Sequence, residues 1–206
     1  MKGLLVIVGL FLGAAVAIEA AAVGGAWWLH GQKRYDEEIG WLETLQPLMR
    51  WDDAYGSHIG QLYRERVRRQ LDADRVDLAV DAVRTARARE RSQGLGPHRE
   101  LMALGIEAYT RAADRMEAHG RLSAAADWDD SLFVMAVRAP DPRHRYAALA
   151  AFMEGLDLRA RDGQPCAALA RVEWAKRGLG GTIPSLQPSV EEDLRIQCNR
   201  SRGLRR

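Results

Sequence analysis

Beyond position 33, apolar residues recur at intervals of three and four, and the positions between them are mostly polar or charged. This spacing places the apolar side chains on one face of an α-helix. No segment is predicted to be a strand, because alternation of apolar and polar residues is much rarer. The predicted fold class is therefore all-α, with helices over residues 35–45, 57–71, 76–88, 98–119, 122–137, 146–161, 165–177 and 189–201.

Glycine and proline separate these predicted helices. Gly120 and Gly163 mark tight turns between neighbouring helices, since glycine readily adopts the backbone conformation at a helix end. Pro140 and Pro142 interrupt the pattern between two such pairs, and Pro47 either kinks or restarts the first helix. Helix pairs with this punctuation need neighbouring pairs to bury their apolar faces, as in an αα-hairpin solenoid. The helix over residues 189–201 is then a C-terminal capping helix.

The N-terminus carries a different pattern, in which Leu4 to Leu29 is a 26-residue run whose only charge is Glu19. At about 1.5 Å per residue, the run is long enough to cross a hydrocarbon core of about 30 Å. Trp27 and Trp28 close it with rings that favour the headgroup level. The predicted organisation is a transmembrane signal anchor over residues 1–32, a juxtamembrane helix over 33–56, a helical domain over 57–201 and a basic tail over 202–206.

A cleaved secretory signal is the alternative interpretation of the same residues. Lys2 supplies a positive start, Leu4 to Ala17 would form the apolar core, and Ala20 to Ala22 offer small residues for cleavage. The protein would then be secreted or periplasmic. The anchor is the preferred interpretation, because apolar residues continue beyond Ala20 to Leu29.

In a retained anchor, Glu19 would lie near the bilayer centre, where a charge costs a few kcal/mol unless it is neutralised or paired. We therefore expect it to face another helix. Gly9, Gly13 and Ala17 are spaced four apart, and small residues at that spacing let a second helix approach closely. These four residues are the candidate intramembrane contacts.

The two cysteines indicate which cellular compartment contains the helical domain. Cys166 begins one predicted helix and Cys198 lies near the end of another, so the two meet if those helices pack antiparallel. A disulfide between them needs an oxidising compartment, whereas two reduced and buried thiols are the alternative. The disulfide prediction places the helical domain on the periplasmic side of an inner membrane.

The distribution of charged residues leads to a second hypothesis for the function. The formal net charge is only +2, so the whole surface is not suited to wrapping nucleic acid. Arginine nevertheless supplies 27 of the 30 basic residues, a bias that, with the abundant alanine, favours a bacterial source. The tail is a candidate contact for anionic lipid through Arg200, Arg202, Arg205 and Arg206. The alternative function is a cytoplasm-facing domain that binds nucleic acid or anionic lipid, with both cysteines reduced.

A search for catalytic patterns predicts no enzyme, no cofactor, no metal site and no small-molecule substrate. The five histidines are far apart and have no metal-ligand spacing. No glycine-rich phosphate loop or Gly-x-Ser-x-Gly elbow occurs. The segments Trp51-Asp52-Asp53 and Trp128-Asp129-Asp130 repeat a tryptophan followed by two acids. Because adjacent helical residues point about 100 degrees apart, we interpret them as core tryptophans beside solvated or arginine-paired acids.

One family resemblance follows from particular positions. Ala108-Tyr109, Ala113, Met116, Gly120, Leu122 and Ala125 resemble the first helix, the turn glycine and the second helix of a tetratricopeptide repeat (TPR). Residues 147–168 repeat the pattern around Gly163, so the resemblance covers about half the chain. The two glycines are 43 residues apart, where the family period is about 34, so these helices are longer.

The resemblance implies a scaffold that binds a protein segment or a partner subunit. Candidate protein-binding residues are Trp51, Tyr109, Trp128 and Trp174. The predicted function is a non-catalytic, membrane-anchored adaptor or accessory subunit in a bacterial envelope complex. Its expected partners are the membrane, crossed once, and a protein or multi-subunit membrane complex rather than nucleic acid.

Overall fold

The computed structural model describes residues 2–32, 34–48, 53–93, 96, 98–184 and 186–203, with side-chain environments for residues 13–32, 34–48, 56–93, 96, 98–184 and 186–202. Within these ranges the protein is all-α, as predicted, and contains no strand. The helices are α1 (Lys2–Gly31), α2 (Tyr35–Leu45), α3 (Asp53–Asp72), α4 (Val76–Ser92), α5 (Arg99–Ala118), α6 (Leu122–Ala136), α7 (Pro142–Arg161), α8 (Pro165–Leu179) and α9 (Pro188–Gly203), with a short 3₁₀ turn at Gln46–Leu48.

Helix ends follow local chemistry. The Asp141 side chain caps α7 by accepting a hydrogen bond from the Arg143 backbone N–H at 2.9 Å, and Pro142 occupies the first turn. This bond holds the pKa of Asp141 below its ordinary value. Gly120 and Gly163 have φ angles of 70° and 72°, the left-handed conformation that glycine adopts without strain. α7 begins at Pro142, four residues before its predicted start at residue 146. Its first turn is polar and so carries no apolar spacing that would reveal it.

The helices pair as consecutive hairpins. α3 packs on α4, α5 on α6, and α7 on α8. Between these hairpins, α3 contacts α5, and α5 contacts α7. α9 packs against α8, and α2 lies between α1 and α3. One apolar cluster continues from Ala22 in α1 to Leu194 in α9. The arrangement is helical and repeat-like.

The closest packing joins α6 and α7. The rings of Phe133 and Phe152 lie with their centroids 4.6 Å apart. Gly155 faces α6 so closely that an added Cβ atom would lie 3.1 Å from the Cβ of Asp129. A glycine at this position therefore lets the two helices approach, and it brings the acidic residues of α6 against α7.

The second half of α1 belongs to this packing. Ala22, Ala26 and Leu29 are buried, and Ile18 packs against the same apolar cluster. An added Cβ atom at Gly25 would lie 2.5 Å from the indole nitrogen of Trp41 in α2. Within the part of the chain whose side chains are described, which begins at residue 13 of α1, no helix is both long and apolar enough to cross a membrane. The predicted anchor finds no support there.

Candidate functional site: a groove lined by arginine and aromatic side chains

A groove of about 710 Å³ opens between α4, α6 and α8, and we call it the central groove. This volume falls within the range of about 300–1,000 Å³ that is usual for ligand sites. Its charged lining residues are Arg84, Arg87, Arg91, Asp127, Asp130 and Arg171. The groove is thus assembled from helices of three successive hairpins.

Aromatic rings form one wall of the groove. The rings of Tyr109 and Trp128 lie 5.8 Å apart, and the Arg84 guanidinium lies 5.3 Å from the Trp128 ring centroid. Arg84 Nε also donates a hydrogen bond to the Tyr109 hydroxyl at 3.3 Å. On α8, the Arg171 guanidinium lies 4.8 Å from the ring centroid of Trp174. Stacking on aromatic faces attracts the cations and fixes the orientation of their guanidinium planes.

Three of the four candidate protein-binding aromatics therefore lie at one place. Tyr109 and Trp174 line the central groove, and Trp128 supports Tyr109 and Arg84. Trp51 lies outside the described residues. Tyr109 is buried and the two tryptophans are half-buried, so each ring also packs against the core.

A buried ion network underlies the groove. Arg159 of α7 is about 5% exposed, and its Nη2 atom lies 2.6 Å from Asp130 Oδ2 and 2.7 Å from Asp127 Oδ1. Asp130 is equally buried and also accepts a hydrogen bond from Arg171 Nε at 2.7 Å. Asp127, by contrast, is 71% exposed. Arginines from α7 and α8 thus share one buried carboxylate of α6 and fix the three helices around the groove.

Arg159 was not among the predicted site residues, although the sequence carries a signal for it. It continues the buried stripe of α7 that runs through Ala148, Phe152 and Leu156 at helical spacing. A charged residue at an apolar position of a stripe requires a buried partner of opposite charge. Its partner Asp130 lies 29 positions away, which a local pattern does not reveal.

Asp129 points away from the groove, toward α7. It is 5% exposed, and its Oδ2 atom has no hydrogen-bond partner. Burial, followed by the nearby carboxylates of Glu154 and Asp130, raises the pKa of Asp129 to about 7. Within the second tryptophan–acid motif, Asp130 is therefore paired with arginines, whereas Asp129 is unpaired and holds its proton up to a higher pH than an ordinary aspartate. Of the first motif, only Asp53 lies among the described residues, as the first residue of α3, and Trp51 and Asp52 lie outside them.

The raised pKa predicts a pH-dependent stability. Because the folded protein holds the Asp129 proton more tightly than the unfolded chain, the free energy of unfolding should fall as pH rises from about 4 to above 7. Asp129→Asn removes this dependence and should make the protein more stable than wild type at pH 8, by about 2 kcal/mol. Urea unfolding between pH 4 and 8 measures both effects. Asp193→Asn, at an exposed position of α9, is the control and should follow wild type; a wild-type profile for Asp129→Asn would contradict the assignment.

A further buried carboxylate lies where α1, α2 and α3 meet. Glu38 is 1% exposed, with His30 Nδ1 at 3.0 Å from one oxygen and His58 Nε2 at 3.6 Å from the other. In the described part of the chain, no three histidine, cysteine or acidic side chains are placed to hold a metal ion. Through His30 and His58, Glu38 of α2 links α1 to α3.

Of the candidate intramembrane residues, three have described surroundings in α1, and all three are exposed. Ala17 and Glu19 are exposed, an added Cβ atom at Gly13 would touch nothing within 4 Å, and the surroundings of Gly9 lie outside the described residues. Trp27 and Trp28 are 79% and 54% exposed. The face of α1 that bears Val16, Val23 and Trp27 is apolar and open.

The two cysteines are joined in a disulfide between the start of α8 and the end of α9, with their Cα atoms 4.7 Å apart. The antiparallel packing of these helices brings the two ends together. Of the predicted lipid contacts, Arg200 and Arg202 lie on exposed positions of α9, and Arg205 and Arg206 lie outside the described residues.

Comparisons of the chain with protein-family models, with curated proteins and with solved structures gave no match. The function must therefore be inferred from the geometry of the chain itself.

Proposed function

We propose that this protein is a non-catalytic, membrane-anchored adaptor whose TPR-like helical domain binds a segment of a partner protein in the central groove. The observation that carries the proposal is the groove itself, in which stacked arginines and aromatic rings from successive hairpins surround a space of about 710 Å³. Arginine, tyrosine and tryptophan are the residues that contribute most to binding energy at protein interfaces.

The charged groups of the groove favour binding over catalysis. Asp130 is engaged by Arg159 and Arg171, and Asp127 by Arg159. Asp129, the carboxylate of this motif whose pKa is raised toward neutrality, packs against α7 instead of lining the groove. The groove therefore offers hydrogen-bond donors and apolar surface, without a free carboxylate poised as an acid or base.

The disulfide supports an external location for the domain, because such bonds persist in oxidising compartments. The apolar sequence before Ile18 supports an anchor, with Lys2 at its start. Ile18 packs against the apolar cluster and Trp41 of α2 lies against Gly25, so only residues up to about 17 are available to lipid. That length is about 24 Å, and a bilayer accommodates it by thinning or by the reach of flanking charges.

This arrangement revises the expected place of Glu19. In the proposed arrangement it lies at the membrane surface, where a carboxylate is solvated, and not at the bilayer centre. Trp27 and Trp28 then lie further from the membrane, on the part of α1 that packs against α2. The cleaved-signal alternative would remove Ile18 and Ala22 from the apolar core.

Position-specific photo-crosslinking in native cells tests the proposed function. A photo-reactive residue at Val134, which is 60% exposed and lines the groove, should give a discrete adduct with one protein. The same residue at Tyr146, which is 73% exposed on α7 and outside the groove, is the control. Adducts of equal yield from both positions, or from neither, would contradict a groove-binding adaptor.

Fractionation of the same cells tests the anchor. The protein should remain in the membrane pellet after alkaline carbonate extraction, and its thiols should react with maleimide only after reduction. Recovery in the soluble fraction without the N-terminal apolar run would establish the secreted or periplasmic alternative.

A further inference from the structure

We infer that the segment bound in the central groove is acidic, with carboxylates on either side of an apolar side chain. This inference rests on the proposed function and adds the chemistry of the partner. The lining contains four arginines, Arg84, Arg87, Arg91 and Arg171, against two aspartates. A ligand is attracted by the charge of those lining residues that are not already paired within the protein.

The aspartates of the groove are already neutralised from within. Asp130 is held between Arg159 and Arg171 at 2.6 Å from each, and both partners come from beneath or beside the groove. Asp127 pairs with the same Arg159 at 2.7 Å. This pairing weakens the attraction of both carboxylates for an incoming cation, while the exposed Asp127 keeps its negative charge at the border of the groove.

Two arginines on α4 remain available. Arg84 is 53% exposed, and its nearest carboxylate, Asp81, lies 3.7 Å away on the same helix and is itself 70% exposed. Arg91 is exposed and has no ion pair within the described part of the chain. Arg87, between them along α4, is instead paired with the buried Glu90. Since residues 84, 87 and 91 follow one helix face, the two available guanidinium groups border the groove about two turns apart.

Arg84 is also preorganised to receive a carboxylate. Its guanidinium is stacked near Trp128, and its Nε atom is bonded to the Tyr109 hydroxyl. An orientation fixed in this way leaves the terminal N–H groups, whose nearest carboxylate is the exposed Asp81 at 3.7 Å, able to form a bidentate pair with a planar carboxylate. Little conformational entropy is then lost on binding.

Part of the lining between α4 and α8 is apolar. Val134 is 60% exposed, and Met135 and Trp174 lie beside it along the groove. An apolar side chain placed here would be covered by these residues, whereas a segment of charged residues alone would leave them in water. The groove therefore suits acids on the flanks and an aliphatic or aromatic residue at the centre.

The rim acids favour a peptide over nucleic acid. Asp127, which lines the groove, and Asp81, which lies 3.7 Å from Arg84, are about 70% exposed. A phosphate backbone carries a charge at every nucleotide and would meet these carboxylates along its path. A peptide can place carboxylates only where the arginines are. Electrostatic complementarity of this kind determines partner choice and association rate.

Binding of defined peptides to the full-length protein in detergent tests the inference. The probe is a short fluorescent peptide in which glutamates flank leucine and phenylalanine, and its matched control has lysine in place of every glutamate. The acidic peptide should bind at least tenfold more tightly than the lysine peptide, and its affinity should fall as salt rises. Arg84→Glu combined with Arg91→Glu should reverse this preference.

The control variant makes the same charge change elsewhere. Arg121→Glu combined with Arg177→Glu alters two exposed arginines outside the groove, which have no ion pair within the described residues, and should leave peptide binding unchanged. Circular dichroism should show the helical content of wild type in both variants. Equal binding of the two peptides, no binding of either, or tighter groove-dependent binding of a single-stranded oligonucleotide would overturn the inference. A Val134 crosslink with a protein in cells would still support the proposed function in each case.

Discussion

Arg159→Met should lower the free energy of unfolding by about 3–5 kcal/mol, the usual cost of leaving one member of a buried ion pair without its partner. Arg159 is about 5% exposed and lies 2.6 Å from Asp130, which is equally buried. Arg171 would still contact Asp130, but that arginine is 36% exposed and approaches from the side of the groove. Asp130 Oδ1 already has no hydrogen-bond partner, so the loss of Arg159 leaves the carboxylate poorly compensated. Urea unfolding at pH 7 measures the change.

Arg161→Met, two positions further along α7, is the matched control. Arg161 is 50% exposed and pairs with Glu117 at 3.0 Å on the surface, so its loss should cost no more than about 1 kcal/mol. A second test combines Arg159→Met with Asp130→Leu, which removes both charges and should recover much of the lost stability. If Arg159→Met and Arg161→Met lowered the free energy of unfolding equally little, the ion network beneath the groove would not be what stabilises the packing of α6, α7 and α8.

Replacing both cysteines by serine should lower the free energy of unfolding by about 2–4 kcal/mol. The disulfide closes a loop across a sequence separation of 32, and its removal gives the unfolded chain back the freedom of that loop. The loss should be concentrated in α9, which packs against α8 through Leu194 and Cys198 and through the ion pair between Glu191 and Lys176. Hydrogen exchange should therefore accelerate in α9 before it changes in α5 or α6.

Reduction of the wild-type protein provides the control for this variant. Dithiothreitol should bring wild type to the stability of the Cys166→Ser and Cys198→Ser protein, and it should leave that variant unchanged. Unaltered exchange in α9 after reduction would mean that packing alone holds the helix. The bond persists in an oxidising compartment and is reduced in the cytosol. We therefore expect α9 to be more stable in a periplasmic protein than in a cytosolic one.

Several elements could be predicted from local sequence because their causes are local. The apolar spacing in residues 98–119 and 122–137 predicts α5 and α6 nearly to their ends. Gly120 and Gly163 mark turns because both require a left-handed backbone conformation. The predicted start of α7 was less accurate, since its first turn is polar and carries no apolar periodicity. The predicted start of α3 was also four residues late, because its apolar spacing begins only at Ile59. The resemblance to tetratricopeptide repeats stays a prediction.

The residues of the candidate site could be predicted from the sequence only in part. Tyr109, Trp128 and Trp174 could be named as large aromatics on helices, but their gathering at one groove depends on how three hairpins stack. Arg159 shows the limit most clearly: its position in a buried stripe is visible in the sequence, yet its partner is 29 residues away on another helix. No local spacing specifies that pair, because it is set by the contact of α6 with α7.

The sequence by itself determined the all-α class, the helix order and the residues able to form a disulfide, because periodicity, turn residues and cysteine positions act over a few neighbouring residues. Only the tertiary structure decided which charges are buried, which arginines of α4 remain available, and that the second half of α1 packs against α2. These properties depend on distances between residues far apart in sequence. Burial and electrostatic pairing are set by those distances, and the spacing along the chain does not contain them.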